Sequence, residues 1–88
     1  MNKMELISWL EEQGFKPYDH SDGIVRLWKG DLCVSIFKDG KARACDLGYE
    51  LPSLTVIYCN EWEYEQIERW VNRITYYRSQ NQEKSEGK

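Results

Sequence analysis

Carboxylates are concentrated in residues 60–73, which read NEWEYEQIERWVNR. The four glutamates of this segment could bind a metal ion, transfer protons or attract a cationic partner. Metal chemistry on a helix needs companions such as Glu-x-x-His pairs, and the segment contains no histidine. The chain also lacks the phosphate-binding glycine loop, the zinc-protease motif and the nucleophile elbow. We therefore expect these carboxylates to perform no catalysis and the protein not to be an enzyme.

The other reactive side chains are one histidine and three cysteines. His20 lies in a turn-rich segment, where a solvated imidazole is the usual case. Cys33, Cys45 and Cys59 could join His20 in a Cys3His zinc site, but structural zinc sites generally use closely spaced ligand pairs. Separated thiols in a reducing compartment are typical of small buried residues. We expect no metal and no cofactor.

Helix chemistry explains much of the acidic segment. Asn60 and Glu63 have the spacing of a capping box, which predicts a helix that begins at Glu61. Glutamates in its first turns would interact favourably with the positive end of the helix dipole. An apolar stripe at helical spacing is predicted to be the core face: Tyr64, Ile67, Trp70, Val71, Ile74 and Tyr77.

A second face of this helix combines aromatic and basic side chains. Its members recur at intervals of four and three residues: Trp62, Gln66, Arg69, Arg73 and Tyr76. Trp, Tyr and Arg are enriched among the residues that dominate binding energy at interfaces. The alternative is that Trp62 packs on the sheet edge while the arginines pair with glutamates. The sequence leaves both interpretations open.

The remaining elements form the scaffold. Asn2 and Glu5 predict a first helix over residues 3–13, and Gly14 suits its C-terminal cap. The pair Asp39-Gly40 predicts a two-residue hairpin turn. Strands are predicted at residues 24–28, 32–38, 41–47 and 54–59, and residues 16–20 are predicted only as a short extended piece. The predicted fold is a single α+β domain over residues 1–79, α-β-β-β(-β)-α, with both helices on one face of an antiparallel sheet and a flexible polar tail at residues 80–88.

The second face of that sheet is predicted to be open, because two helices can cover only one face. Arg26, Trp28, Ser35 and Arg43 are expected there. In small RNA-binding sheets such residues stack bases. The strands contain no ribonucleoprotein-type motif, however, so the sequence does not favour that function.

The net charge of −3 is unevenly distributed. Residues 44–68 contain six acidic side chains and no basic one. Nucleic-acid binding requires a basic surface, so this balance disfavours direct nucleic-acid binding. It predicts instead an acidic surface that attracts a basic protein partner. The expected contact residues are Glu50, Glu61, Trp62, Glu65, Glu68, Arg69, Arg73 and Tyr76.

No apolar segment approaches the roughly 18 residues needed to span a bilayer, and the N-terminus lacks a signal-peptide pattern. We therefore expect a cytoplasmic protein without membrane contact.

In size, in its acidic window over residues 46–68 and in its layout over residues 3–79, the chain resembles small acidic proteins that phages encode to disable host machinery, such as anti-CRISPR proteins. The resemblance implies a non-enzymatic inhibitor or regulator, active in the host cytoplasm, that engages a basic, nucleic-acid-binding surface of a protein partner. No motif aligns, so no functional residue is transferred. The alternative is a self-associating homodimer that uses its open sheet face or an edge strand.

Overall fold

The computed structural model describes residues 1–18, 22–48 and 55–86, with side chains as far as residue 80. Its elements are α1 (Lys3–Glu12), β1 (Lys16–Tyr18), β2 (Val25–Lys29), β3 (Leu32–Ile36), β4 (Ala42–Asp46), β5 (Val56–Cys59) and α2 (Glu65–Glu86). The five strands form one antiparallel sheet whose order follows the chain, β1-β2-β3-β4-β5. The predicted α+β fold is confirmed.

Both ends of α1 follow from its sequence. The Asn2 side chain accepts a hydrogen bond from the Glu5 backbone, and the Glu5 side chain accepts one from the Asn2 backbone. At the other end Gly14 has a φ of 97°, and the Phe15 N–H donates to the Leu10 carbonyl at 3.0 Å. This Schellman motif turns the chain so that Phe15 is buried.

The strand register assigns alternate residues to two faces of the sheet. Leu27, Val34 and Ala44 lie directly opposite one another across β2, β3 and β4. They belong to the same core as Leu6 of α1 and Ile67 of α2. Both helices therefore cover this face, as predicted, and no helix in the described ranges covers the other.

The β3–β4 hairpin differs from its prediction. Phe37 donates its N–H to the Lys41 carbonyl at 2.8 Å, and its own carbonyl accepts from Gly40 at 3.0 Å. The connection is thus a three-residue loop, residues 38–40, with Gly40 at a φ of 92°. The Asp-Gly pair correctly located the hairpin, but the two-residue turn was wrong because Lys38 also belongs to the loop.

Helix α2 begins later than Glu61. Residues Glu61–Glu63 form a single 3-10 turn, and the α-helix starts at Glu65. The capping interaction is present, since the Glu63 carboxylate accepts hydrogen bonds from the backbone and side chain of Asn60. The Tyr64 hydroxyl donates to the Gly40 carbonyl at 2.6 Å and ties this turn to the β3–β4 loop.

The apolar stripe of α2 packs on the sheet as far as Ile74, but not at Tyr77. Trp70 and Ile74 are buried, whereas Tyr77 is 44% exposed. Arg78 already pairs with Asp46, the last residue of β4, so at Tyr77 the helix has reached the end of the sheet. The helix continues to Glu86, through much of the segment predicted as a tail. Gln, Glu and Lys are good helix formers, which explains that continuation.

Candidate functional site

Three carboxylates gather around the amino terminus, where α1 and α2 begin. The Met1 amino group donates a hydrogen bond to Glu65 at 3.1 Å. The pKa of this amine is raised first by that bond and the charge of Glu65, and then by the charges of Glu5 and Glu68. One ammonium thus lies among three acids, and a local excess of negative charge is left.

An exposed tryptophan lies near the amino terminus, since Trp62 and Met1 line the same cleft. Trp62, on the 3-10 turn, is 74% exposed. It lines a cleft of about 430 Å³ together with Phe37 and Glu61. The Glu61 carboxylate lies over Gly40, close enough that an added Cβ there would clash with it. We call Glu5, Glu61, Trp62, Glu65 and Glu68 the helix-start surface.

Other members of the acidic window do not contribute to this surface. Asp46 is fully buried, and its carboxylate pairs with Arg78 at 2.9 Å. Its charge is therefore neutralised inside the protein, which corrects the idea of one acidic surface along the whole window. The pKa of Glu63 is lowered by hydrogen bonds from Asn60, so this carboxylate serves the helix cap. Glu50 lies outside the described residues.

The predicted aromatic and basic face of α2 is divided. Arg69, Arg73 and Gln66 line a groove of about 510 Å³ against Ile57 of β5. Tyr76 packs edge-on against Tyr77, with ring centroids 5.9 Å apart. Trp62 belongs to the separate cleft at the β3–β4 loop, because the 3-10 turn does not continue the α-helical spacing.

The arginines of this face do not form the ion pairs with glutamates that the alternative interpretation of the face predicted. The N-terminal amine, and not Arg69, makes the ion pair with Glu65. The pKa of that carboxyl is lowered first by a hydrogen bond from the Glu65 backbone and then by the amine, and the charge of Arg69 adds a smaller effect. No carboxylate in the described part of the chain forms an ion pair with Arg69 or Arg73. Their role in binding stays a prediction.

The sheet separates the cysteines. Cys33 and Cys45 lie directly opposite each other on the face away from the helices, whereas Cys59 belongs to the core on the other face. All three are free thiols, and burial raises the pKa of Cys59 to about 11. Three thiols on two faces cannot share one zinc ion, so the Cys3His alternative is wrong for this set. His20 lies outside the described residues.

The sequence located only part of the second sheet face. Arg26, Ser35 and Arg43 lie in one row across the strands, as expected. The same row also contains Tyr18 at one end and Tyr58 at the other, and both are exposed. The strand of Tyr58 was predicted and the segment of Tyr18 was predicted as extended, but only the register of the edge strands shows that these tyrosines share a row with the arginines.

Comparisons with protein-family models, with curated proteins and with solved structures find no match for this chain. The resemblance to phage inhibitors therefore stays a prediction. No helix within residues 1–18, 22–48 and 55–86 is long and apolar enough to cross a membrane.

Proposed function

We propose that this protein is a non-enzymatic protein-binding module, an inhibitor or regulator, which engages a basic surface of a protein partner through the helix-start surface. The observation that carries the proposal is Trp62, a large aromatic side chain left 74% exposed in the cleft that Glu61 and the amino terminus also line. A tryptophan in water gains free energy when a partner covers it, and tryptophan is prominent among binding hot spots.

The charge at the amino terminus, which lines the same cleft as Trp62, supports a basic partner. Glu5, Glu65 and Glu68 act together on a single ammonium group, and Glu61 lies next to Trp62 in the chain. A negative electrostatic field accelerates association with a cationic surface, and burial of the aromatic ring in the complex slows dissociation. Such a module would act by occupying its partner's basic surface.

A homodimer formed by stacking two open sheet faces is less well supported. Such a pairing would bring Arg26 and Arg43 of one copy close to the same residues of the other, and like charges at an interface oppose association. Size-exclusion chromatography with light scattering tests it directly. A dimer that persists at high salt would favour that alternative.

The test is capture of a partner from an extract of the native host by immobilised protein. The double variant Glu61→Lys/Glu68→Lys should lose the captured protein, whereas Glu11→Lys/Glu12→Lys makes the same charge change at the far end of α1 and should retain it. Trp62→Ala should also lose the partner, and Leu47→Ala, another exposed apolar residue, should keep it.

Salt dependence completes the test. Raising the ionic strength should weaken capture by the parent protein and have less effect on what the double variant still binds. If Glu61→Lys/Glu68→Lys and Trp62→Ala, both shown to be folded by circular dichroism, capture the same protein as the parent at low salt, the proposal is wrong.

A further inference from the structure

The sheet face away from the helices consists of two rows of side chains that run across all five strands. We call these rows the open face: Lys16, Trp28, Cys33, Cys45 and Val56 in one row, and Tyr18, Arg26, Ser35, Arg43 and Tyr58 in the next. None of these ten residues is acidic and three are basic, in a chain with a net charge of −3. Strand pairing thus separates a basic face from the acidic helix-start surface.

Arg43 is the central cation of the open face. Its Nε is buried and has no hydrogen-bond partner among the described residues, and no carboxylate there forms an ion pair with it. Arg26, two strands away, pairs with Asp22 at 3.1 Å. Burial raises the pKa of Cys33, and that rise is opposed by the hydrogen bond with Ser35 and then by the charges of Arg43 and Arg26. A buried N–H without an acceptor is costly, and a bound anion would satisfy it.

Aromatic rings occupy both ends of the row that contains Arg43. Tyr18 is 58% exposed on β1 and Tyr58 is 69% exposed on β5. Strands lie about 4.8 Å apart, so the two tyrosines are separated by roughly 19 Å across the sheet. Trp28 lies between them in the neighbouring row, and together with Lys16, Arg26 and Asp22 it lines an open groove of about 820 Å³ on the β1–β2 side.

We propose that the open face binds single-stranded nucleic acid, with unpaired bases stacked on Tyr18, Trp28 and Tyr58 and backbone phosphates held by Arg43 and Lys16. Exposed rings on a sheet with interspersed cations provide both interactions that a single strand offers. An acidic polypeptide would pair with the cations but supply no bases for the rings. The acidic net charge of the chain argued against nucleic-acid binding. That net charge, however, is a sum over two surfaces, one basic and one acidic, which lie at different places on the protein.

The experiment measures binding of a fluorescein-labelled oligothymidylate to the full chain by fluorescence anisotropy. Tyr58→Ala should weaken binding about tenfold, the effect of losing one stacked base, and Tyr58→Phe should restore it because the ring is kept. Tyr76→Ala removes a similarly exposed tyrosine from α2 and should have no effect.

Arg43 is tested by its contribution to the salt dependence. Arg43→Gln should reduce the slope of log affinity against log salt by about 0.7, the effect of one phosphate contact on a single strand. Arg69→Gln makes the same charge change on α2 and should leave the slope unchanged.

Three results would overturn the proposal. One is the absence of anisotropy change with oligothymidylate at low salt. Another is that an oligonucleotide duplex binds as tightly as the single strand. The paired bases of a duplex cannot stack on the rings, so this result would show that charge alone attracts the nucleic acid. The third is binding of polyglutamate in place of the oligonucleotide with the same dependence on Arg43, which would assign the face to acidic polypeptides.

Discussion

At the scale of single residues, two tryptophans of the same segment lie in opposite environments. Trp70 is 3% exposed in the core and Trp62 is 74% exposed. We expect Trp70→Ala to lower the free energy of unfolding by about 3–5 kcal/mol, because it leaves a cavity that the surrounding helices and sheet cannot fill. Trp62→Ala should change it by less than about 0.5 kcal/mol. Urea unfolding followed by circular dichroism measures both, and similar losses for the two variants would contradict the orientation of α2.

Arg78 is the residue that holds the second half of α2 to the sheet. Its guanidinium contacts Asp46 at 2.9 Å and Asp31 at 2.8 Å. Arg78→Ala would remove the cation that pairs with the buried Asp46 carboxylate. We expect a loss of about 2–3 kcal/mol in unfolding free energy, somewhat below the cost of breaking a fully buried pair because Arg78 is partly exposed.

The matched control for Arg78 is Arg73→Ala, which removes an exposed arginine from the same helix. It should cost less than about 0.5 kcal/mol. Adding Asp46→Ala to Arg78→Ala should recover part of the loss, because the uncompensated buried charge is then gone. Losses that simply add in the double variant would show that the two residues do not interact.

At this scale the sequence predicted what depends on local spacing. The buried positions from Tyr64 to Ile74 follow from helical periodicity, and the capping contact of Glu63 from its spacing to Asn60. The environment of Asp46 was not predictable in this way. Its partner Arg78 is distant in the chain, and alternation along a strand gives no indication of an ion pair across elements.

At the scale of elements, α2 continues past its last core contact. Ile74 is its last buried apolar residue, and Arg78 makes its last described contact with the sheet. A chain that ends at Ser79 should therefore have a free energy of unfolding within about 0.5 kcal/mol of that of the full chain. A chain that ends at Tyr77 lacks Arg78 and should lose about as much as Arg78→Ala.

Paired urea unfolding curves of the two shortened chains provide the measurement. A large loss for the chain that ends at Ser79 would show that the final part of α2 docks on the domain. If both shortened chains are equally stable, Arg78 does not stabilise the fold.

The hairpins show why the elements were predictable and the open face was not. Glycines and alternating residues located β2 to β5 within a few residues, whereas β1 was predicted only as an extended piece and makes a fifth strand where three or four were expected. Which side chains share a row, however, depends on pairing between strands, and the three-residue loop at residues 38–40 sets the β3–β4 register. Tyr18 and Tyr58 come from the two edge strands, so their alignment with Arg43 requires three further strand pairings, each of them set by the register of its two strands.

At the scale of the whole molecule, stability should fall on the alkaline side. Burial raises the pKa of Cys59 from 9.0 to about 11, and it also raises the pKa of Cys33 and Tyr64. Between those pH values the folded state keeps protons that the unfolded state has released. The contribution of Cys59 to stability is therefore fully present below about pH 9 and is lost as pH rises towards 11.

Unfolding free energies measured in urea at several pH values check this prediction. Cys59→Ala removes the largest of the shifted groups and should flatten the alkaline decrease relative to the parent protein. A parent curve that is level from about pH 8 to pH 11 would contradict the burial of these groups.

The order of the strands also has a consequence for the rate of folding. Because every strand pairs only with its neighbours in the chain, each hairpin can close between strands that are near in sequence before any distant segment arrives. Isolated hairpins form in about 1–10 μs, and folds dominated by local pairing are faster than sheets with crossovers. The slow event should then be docking of α1 and α2, which come from opposite ends of the chain, onto a sheet that is already paired.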